Sequence, residues 1–71
     1  MTPAQCRAAR ALVGMSLNDL SRMTVVQATT IWDYEAEIGL TKPTDIDAMQ
    51  TALENAGAEF IETGVRLKHK K

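Results

Sequence analysis

Residues 16–35 have the sequence SLNDLSRMTVVQATTIWDYE, and this stretch decides the fold. Ser16 with Asp19 three positions later is typical of a helix start, because each side chain can bond to the backbone N–H of the other residue. This helix is expected to end at Arg22, since the β-branched residues that follow resist helical structure. The residues after the turn at 23–26 then begin a second helix. The stretch therefore predicts two short helices joined by a tight turn.

The two helices need apolar contacts between them to hold a fixed angle. Leu20 supplies one from the first helix, Val26 from the turn and Ile31 from the second helix. The second helix is expected to extend to about Glu37. Ile31 and Tyr34 lie three residues apart on it, a spacing that places both on its inner face. Its outer side is left mainly polar.

A longer helix precedes this pair. Thr2 can cap it, Pro3 suits its first turn, and Gln5 completes a reciprocal cap with Thr2. It is expected to end before Gly14, because glycine commonly terminates helices. Apolar residues at helical spacing form its inner face, namely Cys6, Ala9 and Val13.

A fourth helix and a hairpin are expected after Gly39, which closes the preceding segment. Thr44 is the predicted cap of this helix, and Asp45 and Asp47 follow in its first turn, where the helix dipole favours carboxylates. Its buried stripe consists of Ile46, Met49 and Leu53. Beyond a stop at 55–57, residues 58–61 and 65–67 resemble two strands. The three residues between them end in glycine, which suits a hairpin with a bulge.

Charge is distributed unevenly along a chain whose net charge is −1. Residues 1–32 carry three arginines and one acid, residues 33–62 carry eight acids and one lysine, and residues 63–71 carry four basic residues and no acid. A folded chain could therefore present a basic face and an acidic face, or an ordinary mixed surface. The cluster from Arg66 to Lys71 could contact phosphates or keep the tail soluble.

Composition excludes several classes of function. The chain has 71 residues and one cysteine, so it fits one small domain without an internal disulfide. No apolar run is long enough for a membrane span, and the N-terminus does not resemble a secretion signal, so a cytoplasmic location is expected. The single histidine, His69, gives no catalytic triad, and no cofactor, metal or small-molecule motif is present. An enzyme is not expected.

Two short helices with this spacing form the helix-turn-helix pattern of DNA-binding proteins. The order of motifs along nearly the whole chain resembles the Cro and phage-repressor (XRE-like) family, in its short prophage type. The resemblance is carried by segments 2–12, 16–22, 28–35, 45–61 and 64–67. It implies an all-α, lambda-repressor-like four-helix bundle with a short C-terminal β-hairpin. Residues 1–57 would form the DNA-binding domain, residues 58–67 the hairpin, and residues 68–71 a disordered basic tail.

The resemblance also implies roles for individual positions. Arg10 and Glu35 match a structural ion pair, against the alternative of two separate surface charges. Residues at the base-contacting positions are Gln27, Ala28, Thr29 and Trp32, although Trp32 could instead pack against a partner or the Pro43 loop. Ser16 and Lys42 match positions that contact backbone phosphate. Bound in this way, the helix at 27–35 would read the major groove of double-stranded DNA.

An isolated hairpin is marginal in water, so the strands need a pairing partner. The expected partner is the same hairpin of a second copy, joined through Phe60, Ile61, Val65 and Leu67. Such a homodimer would act as a transcriptional regulator on a palindromic site. The alternative is a helix-turn-helix that has lost DNA binding and acts as a protein-interaction module, for example an anti-activator. Leu17, Val25 and the absence of Lys or Arg from residues 27–35 favour that alternative.

Overall fold

The computed structural model describes residues 1–68 and contains, within them, four helices followed by one antiparallel hairpin. In chain order the elements are α1 (Pro3–Val13), α2 (Leu17–Thr24), α3 (Ala28–Glu35), α4 (Pro43–Asn55), β1 (Ala58–Ile61) and β2 (Gly64–Leu67). The mostly helical class with a C-terminal hairpin, expected from the sequence, is confirmed. The prediction of a disordered tail falls mainly on residues 69–71, which lie outside the described residues.

The first two helices begin with the reciprocal caps that the sequence predicts. The Gln5 backbone N–H donates to Thr2 Oγ1 over 3.1 Å, and the Thr2 N–H donates to Gln5 Oε1 over 2.8 Å. Ser16 and Asp19 repeat the arrangement at the start of α2, with both bonds at 3.0 Å. Gly14 ends α1 in the left-handed conformation, with φ of 72°. Local side-chain chemistry therefore fixes where both helices begin.

The ends of α2 and α3 differ from the sequence-based prediction. α2 continues past Arg22 to Thr24, because the Thr24 hydroxyl donates to the Leu20 carbonyl over 2.8 Å and so keeps a β-branched residue in the helix. α3 ends at Glu35, and the prediction that it reaches Glu37 was wrong. Glu37 has a positive φ of 60°, which a continuing right-handed helix excludes.

The start of α4 also differs. Lys42 is the N-cap of α4, and its side chain makes no capping bond. The prediction that Thr44 caps this helix was wrong, because Pro43 already occupies a first-turn position and Thr44 lies inside the helix. Proline suits the first turn, since its fixed φ is helical and its missing N–H would have had no partner there. Of the two carboxylates expected in the first turn, Asp45 lies there and Asp47 lies beyond it.

The core lies where α2 packs against both α3 and α4, with α1 and the hairpin closing one side. Its fully buried larger side chains are Leu20, Ile31, Met49, Leu53 and Cys6. Ala9 and Tyr34 are also buried, as the helical spacing predicts, and so is Val26, the apolar contact expected from the turn. Val13 and Ile46, expected on the inner faces of α1 and α4, are only partly buried and pack at the edge of this core. Each helix therefore has a fixed inner face and a defined outer face.

The hairpin is tighter than the sequence suggests. Ile61 pairs with Gly64, so only two residues connect the strands. The prediction of a three-residue loop with a bulge was wrong, because Gly64 belongs to β2 and the register from Ala58–Leu67 to Ile61–Gly64 is continuous. Gln5 holds the turn against α1, since its Nε2 donates to the carbonyls of Ile61 at 2.9 Å and Gly64 at 3.0 Å.

Candidate functional site

The connection between α2 and α3 is a three-residue turn held by side-chain hydrogen bonds. Ser21 Oγ donates to the Val26 carbonyl over 2.6 Å, and the Val26 N–H donates to Thr24 Oγ1 over 3.1 Å. Val26 points into the core, whereas Val25 is 95% exposed. Val25 caps α2 in a left-handed conformation, with φ of 56° and ψ of 14°. The turn therefore holds the two helices at a fixed angle, and its backbone strain lies at Val25.

The inner face of α3 is tied firmly to α1. Glu35 is 6% exposed and accepts from Arg10 in a bidentate way, with Nε–Oε2 at 2.6 Å and Nη2–Oε1 at 2.7 Å. The pair implied by the resemblance is thus present as an ion pair between the last turn of α1 and the end of α3. Arg10 also donates to the Met15 carbonyl over 3.1 Å, which ties the α1–α2 connection to the same site.

Cys6 completes this buried polar cluster. Its Sγ donates to Glu35 Oε2 over 3.3 Å, and the side chain is fully buried. Burial, and secondly the hydrogen bond to the Glu35 carboxylate, raise the pKa of the Cys6 thiol from 9.0 to about 12. The thiol is therefore neutral at ordinary pH and serves as a hydrogen-bond donor within the core.

The outer side of α3 carries the residues predicted to contact bases. Gln27 is the exposed N-cap of α3, and its side chain makes no capping bond. Thr29 is exposed, Ala28 is partly exposed, and Trp32 is 59% exposed. All four thus reach the surface from a helix whose other face is immobilised. α3 contains no Lys or Arg, and its exposed Asp33 is acidic.

The two predicted phosphate-contacting residues occupy different environments. Ser16 lies at the N-terminus of α2, where its N–H and hydroxyl both bond to Asp19. The bond that the Ser16 N–H donates to the Asp19 carboxylate, and secondly the nearby Ser16 hydroxyl, hold the pKa of Asp19 below its usual value, with additional help from Arg22. A phosphate bound at Ser16 would therefore lie close to the Asp19 carboxylate and be repelled by its negative charge. Lys42 is exposed at the start of α4 and is free of that conflict.

The residues predicted to join two copies lie on both faces of the hairpin. Phe60 and Val65 are cross-strand partners and are partly buried against the core of their own chain. Leu67 shares their face, since it pairs with the buried Ala58, yet it is 52% exposed at the open end of the hairpin. Ile61 lies on the opposite face with the Arg66–Glu59 ion pair. Leu67 is thus the member of the set with most apolar surface left uncovered.

Arg7 was not singled out by the sequence-based reasoning. Its Nη1 donates to the Glu35 carbonyl at the end of α3 over 3.1 Å. Arg7 also lines a cleft of about 130 Å³ together with Trp32, Glu35 and Ala36. The sequence did contain one indication of this position. Arg7 lies three residues before Arg10, and residues i and i+3 share one side of a helix. Both arginines therefore reach the same end of α3.

Comparison with known proteins gives no match, either to a protein-family model or to a curated protein. Within residues 1–68, every helix is too short or too polar to cross a membrane. In the same residues, no three His, Cys, Asp or Glu side chains are grouped as metal ligands would be. The candidate functional site of this chain is the arrangement of α2, the turn and α3.

Proposed function

We propose that this chain is a sequence-specific DNA-binding transcriptional regulator with a lambda-repressor-like domain, in which α3 enters the major groove. The observation that carries the proposal is the contrast between the two faces of α3. Ile31, Tyr34 and Glu35 fix one face in the core, while Gln27, Thr29 and Trp32 project from the surface. A rigidly held helix with a largely polar outer surface suits docking against base edges.

The outer residues offer chemistry that fits bases. A glutamine amide can bond to adenine in a bidentate way, and threonine or alanine methyl groups can contact the methyl group of thymine. Each good base contact is worth about 1–3 kcal/mol of discrimination. Gln27 has its amide free of capping bonds, and Thr29 is exposed beside it. Lys42 supplies a phosphate contact at the start of α4. Ser16 supplies a second one at the start of α2 through its hydroxyl, which accepts from the Asp19 N–H and keeps its own proton to donate, and this contact is weakened by the nearby Asp19 carboxylate.

The regulator is proposed to act as a homodimer on a palindromic site. A two-stranded hairpin leaves strand edges that a second copy can pair with, and Leu67 leaves apolar surface uncovered at the end of β2. Two copies related by a twofold axis would place two α3 helices about one DNA turn apart. We propose that such a protein acts in the cytoplasm without a cofactor.

The test is fluorescence anisotropy of labelled DNA from upstream of the coding region, with a scrambled duplex as control, across a salt series. We expect the native fragment to bind more tightly, and both affinities to fall steeply with salt, because phosphate contacts release counterions. Gln27→Ala and Thr29→Ala should narrow the preference for the native fragment. Thr51→Ala, an exposed change of the same kind on α4, should leave it unchanged.

A protein-interaction module is the second candidate. Ile38 is 56% exposed and Leu40 is fully exposed in the segment between α3 and α4. Large apolar side chains exposed to water close together are typical of a surface that binds another protein. Equal and weak binding of both duplexes would contradict the regulator proposal. Ile38→Ser and Leu40→Ser would then be the variants with which to probe capture of a protein partner.

A further inference from the structure

The end of α3 carries an arginine that the base-contacting set does not include. Arg7 projects from α1, is exposed, and holds the Glu35 carbonyl through Nη1 at 3.1 Å. It lines one cleft with Trp32 on the outer side of α3, and with Glu35 and the capping residue Ala36 at the end of that helix. Arg7 therefore lies beside the surface of α3 that is proposed to face DNA.

Within residues 1–68, Arg7 forms no salt bridge, unlike the other three arginines. Arg10 pairs with Glu35, Arg22 with Asp19, and Arg66 with Glu59. The hydrogen bond of Arg7 goes instead to a backbone carbonyl, which is neutral. A guanidinium has five N–H donors, so this bond orients the group while leaving donors for an anion.

α3 itself lacks the positive charge that a groove-entering helix usually needs. Its eight residues include Asp33 and Glu35 and neither Lys nor Arg. DNA affinity comes largely from phosphate contacts, so the cations must lie on neighbouring elements. Lys42 is one such residue, at the α4 end of the site. Arg7 is placed to act from the α1 side.

We propose that Arg7 binds a backbone phosphate of the DNA strand that runs past the C-terminal half of α3. This inference rests on the proposed DNA-binding function and adds a contact from α1 to it. The bond to the Glu35 carbonyl orients the guanidinium before DNA arrives, so less side-chain freedom is lost on binding. The contact reads no base, and it strengthens binding to any sequence.

The test compares Arg7→Gln with the wild-type protein in anisotropy titrations of native and scrambled DNA over a salt series. We expect Arg7→Gln to weaken binding to both duplexes by a similar factor. The slope of log affinity against log salt should become shallower by about 0.9 for each protomer bound, the value for one lost phosphate contact. Arg7→Lys should retain most of the wild-type slope, because it keeps the charge.

Arg66→Gln is the matched control. The ion pair with Glu59 engages the Arg66 guanidinium and so sets Arg66 apart from the basic cluster considered for phosphate contact, and its loss should leave the slope unchanged. Thermal melting establishes whether each variant is folded at the assay temperature. If Arg7→Gln is not folded, Arg7→Met, which keeps the apolar stem of the side chain, is used in its place. A wild-type slope in Arg7→Gln or Arg7→Met would overturn the assignment of Arg7 while leaving α3 as the reading helix. A wild-type protein without salt-dependent binding would overturn the DNA-binding function, and the assignment of Arg7 with it.

Discussion

Val25 adopts a left-handed backbone conformation that glycine tolerates far better than a β-branched residue. Its side chain is 95% exposed, so no buried contact offsets the strain. The sequence already indicated a conflict here, because three β-branched residues fall where the chain must turn sharply between two helices. The rest of the turn is held by Ser21 and Thr24 through their hydroxyl groups. The strain is therefore confined to one residue.

Val25→Gly is expected to stabilise the protein. It relieves a left-handed strain of about 1–2 kcal/mol, and the greater freedom of glycine in the unfolded chain offsets about 0.5–1 kcal/mol of that gain. The net increase in the free energy of unfolding should be about 0.5–1 kcal/mol, measured by urea titration. Ala8→Gly, an exposed change within α1, should instead lower it by about 1 kcal/mol. A loss of stability in Val25→Gly would contradict the left-handed turn.

Cys6 is expected to resist alkylation in the folded protein. Its thiol is fully buried and its pKa is raised to about 12, so almost no thiolate is exposed at pH 8. Iodoacetamide should label it at least about a hundredfold more slowly in buffer than in concentrated urea, as followed by mass spectrometry. Rapid labelling of the folded protein would contradict the buried contact with Glu35.

The same thiol makes stability depend on alkaline pH. Its folded pKa lies above the unfolded value, so the neutral thiol contributes its full stabilisation below pH 9.0. That contribution is lost progressively as pH rises from 9.0 toward 12. In Cys6→Ala the urea midpoint should therefore fall less over this pH range than in the wild-type protein.

At the scale of elements, α1 and α3 are joined by the Arg10–Glu35 ion pair. The side chains are only 16% and 6% exposed, so neither charge can be fully hydrated if its partner is removed. α2 carries a different kind of pair, Arg22 with Asp19, which lies at the surface. The position of α3 therefore depends on the first of these pairs and hardly on the second.

Glu35→Ala should lower the free energy of unfolding by about 3 kcal/mol, because it leaves a partly buried guanidinium without its counterion. Replacing both partners, Arg10→Met with Glu35→Leu, should recover most of that loss, since no buried charge is left unpaired. Urea unfolding followed by far-UV circular dichroism measures both. Arg22→Ala is the surface control and should barely move the urea midpoint. A Glu35→Ala midpoint as high as that of the control would contradict the coupling of α1 to α3.

The sequence predicted the starts of α1 and α2 well, because each start is set by hydrogen bonds between residues three positions apart. Thr2 and Ser16 each had an acceptor or donor partner three residues later, and both caps formed as expected. α4 has no such cap, because Pro43 enters its first turn and displaces Thr44 from the capping position. The spacing of Arg7 and Arg10 placed both on one side of α1, but nothing in the sequence showed the contact of Arg7 with the end of α3. It joins residues 28 positions apart and depends on how α1 packs.

At the scale of the whole molecule, the hairpin is the surface proposed to join two copies of the chain. Phe60 and Val65 are already partly buried by their own chain, so Leu67 and the open strand edges remain for a second copy. The sequence predicted two strands correctly, because the helical pattern stops at residues 55–57 and a short loop with glycine separates two short apolar segments. It missed the two-residue turn. Neither residue of that turn has a positive φ, so neither had to be a glycine that would have marked the turn in the sequence.

Sedimentation equilibrium at micromolar concentration should give the mass of two chains. Leu67→Lys should shift the mass toward one chain, because a charge at the end of β2 opposes close approach of a second hairpin. Leu40→Lys is the control, since Leu40 is fully exposed but lies between α3 and α4. Dissociation by Leu40→Lys alone would place the interface on that segment, and a wild-type mass of one chain would contradict the dimer.

The most direct test of α3 as the DNA-reading helix is a titration of ¹⁵N-labelled protein with the upstream duplex, followed by amide chemical shifts. Trp32 is the only tryptophan, so its indole N–H gives a single assigned reporter on the outer side of α3. We expect the largest shifts at Gln27, Ala28, Thr29 and the Trp32 indole, with smaller ones at Ser16 and Lys42. Shifts confined to the hairpin or to residues 38–40, with α3 unchanged at saturating DNA, would contradict the central claim.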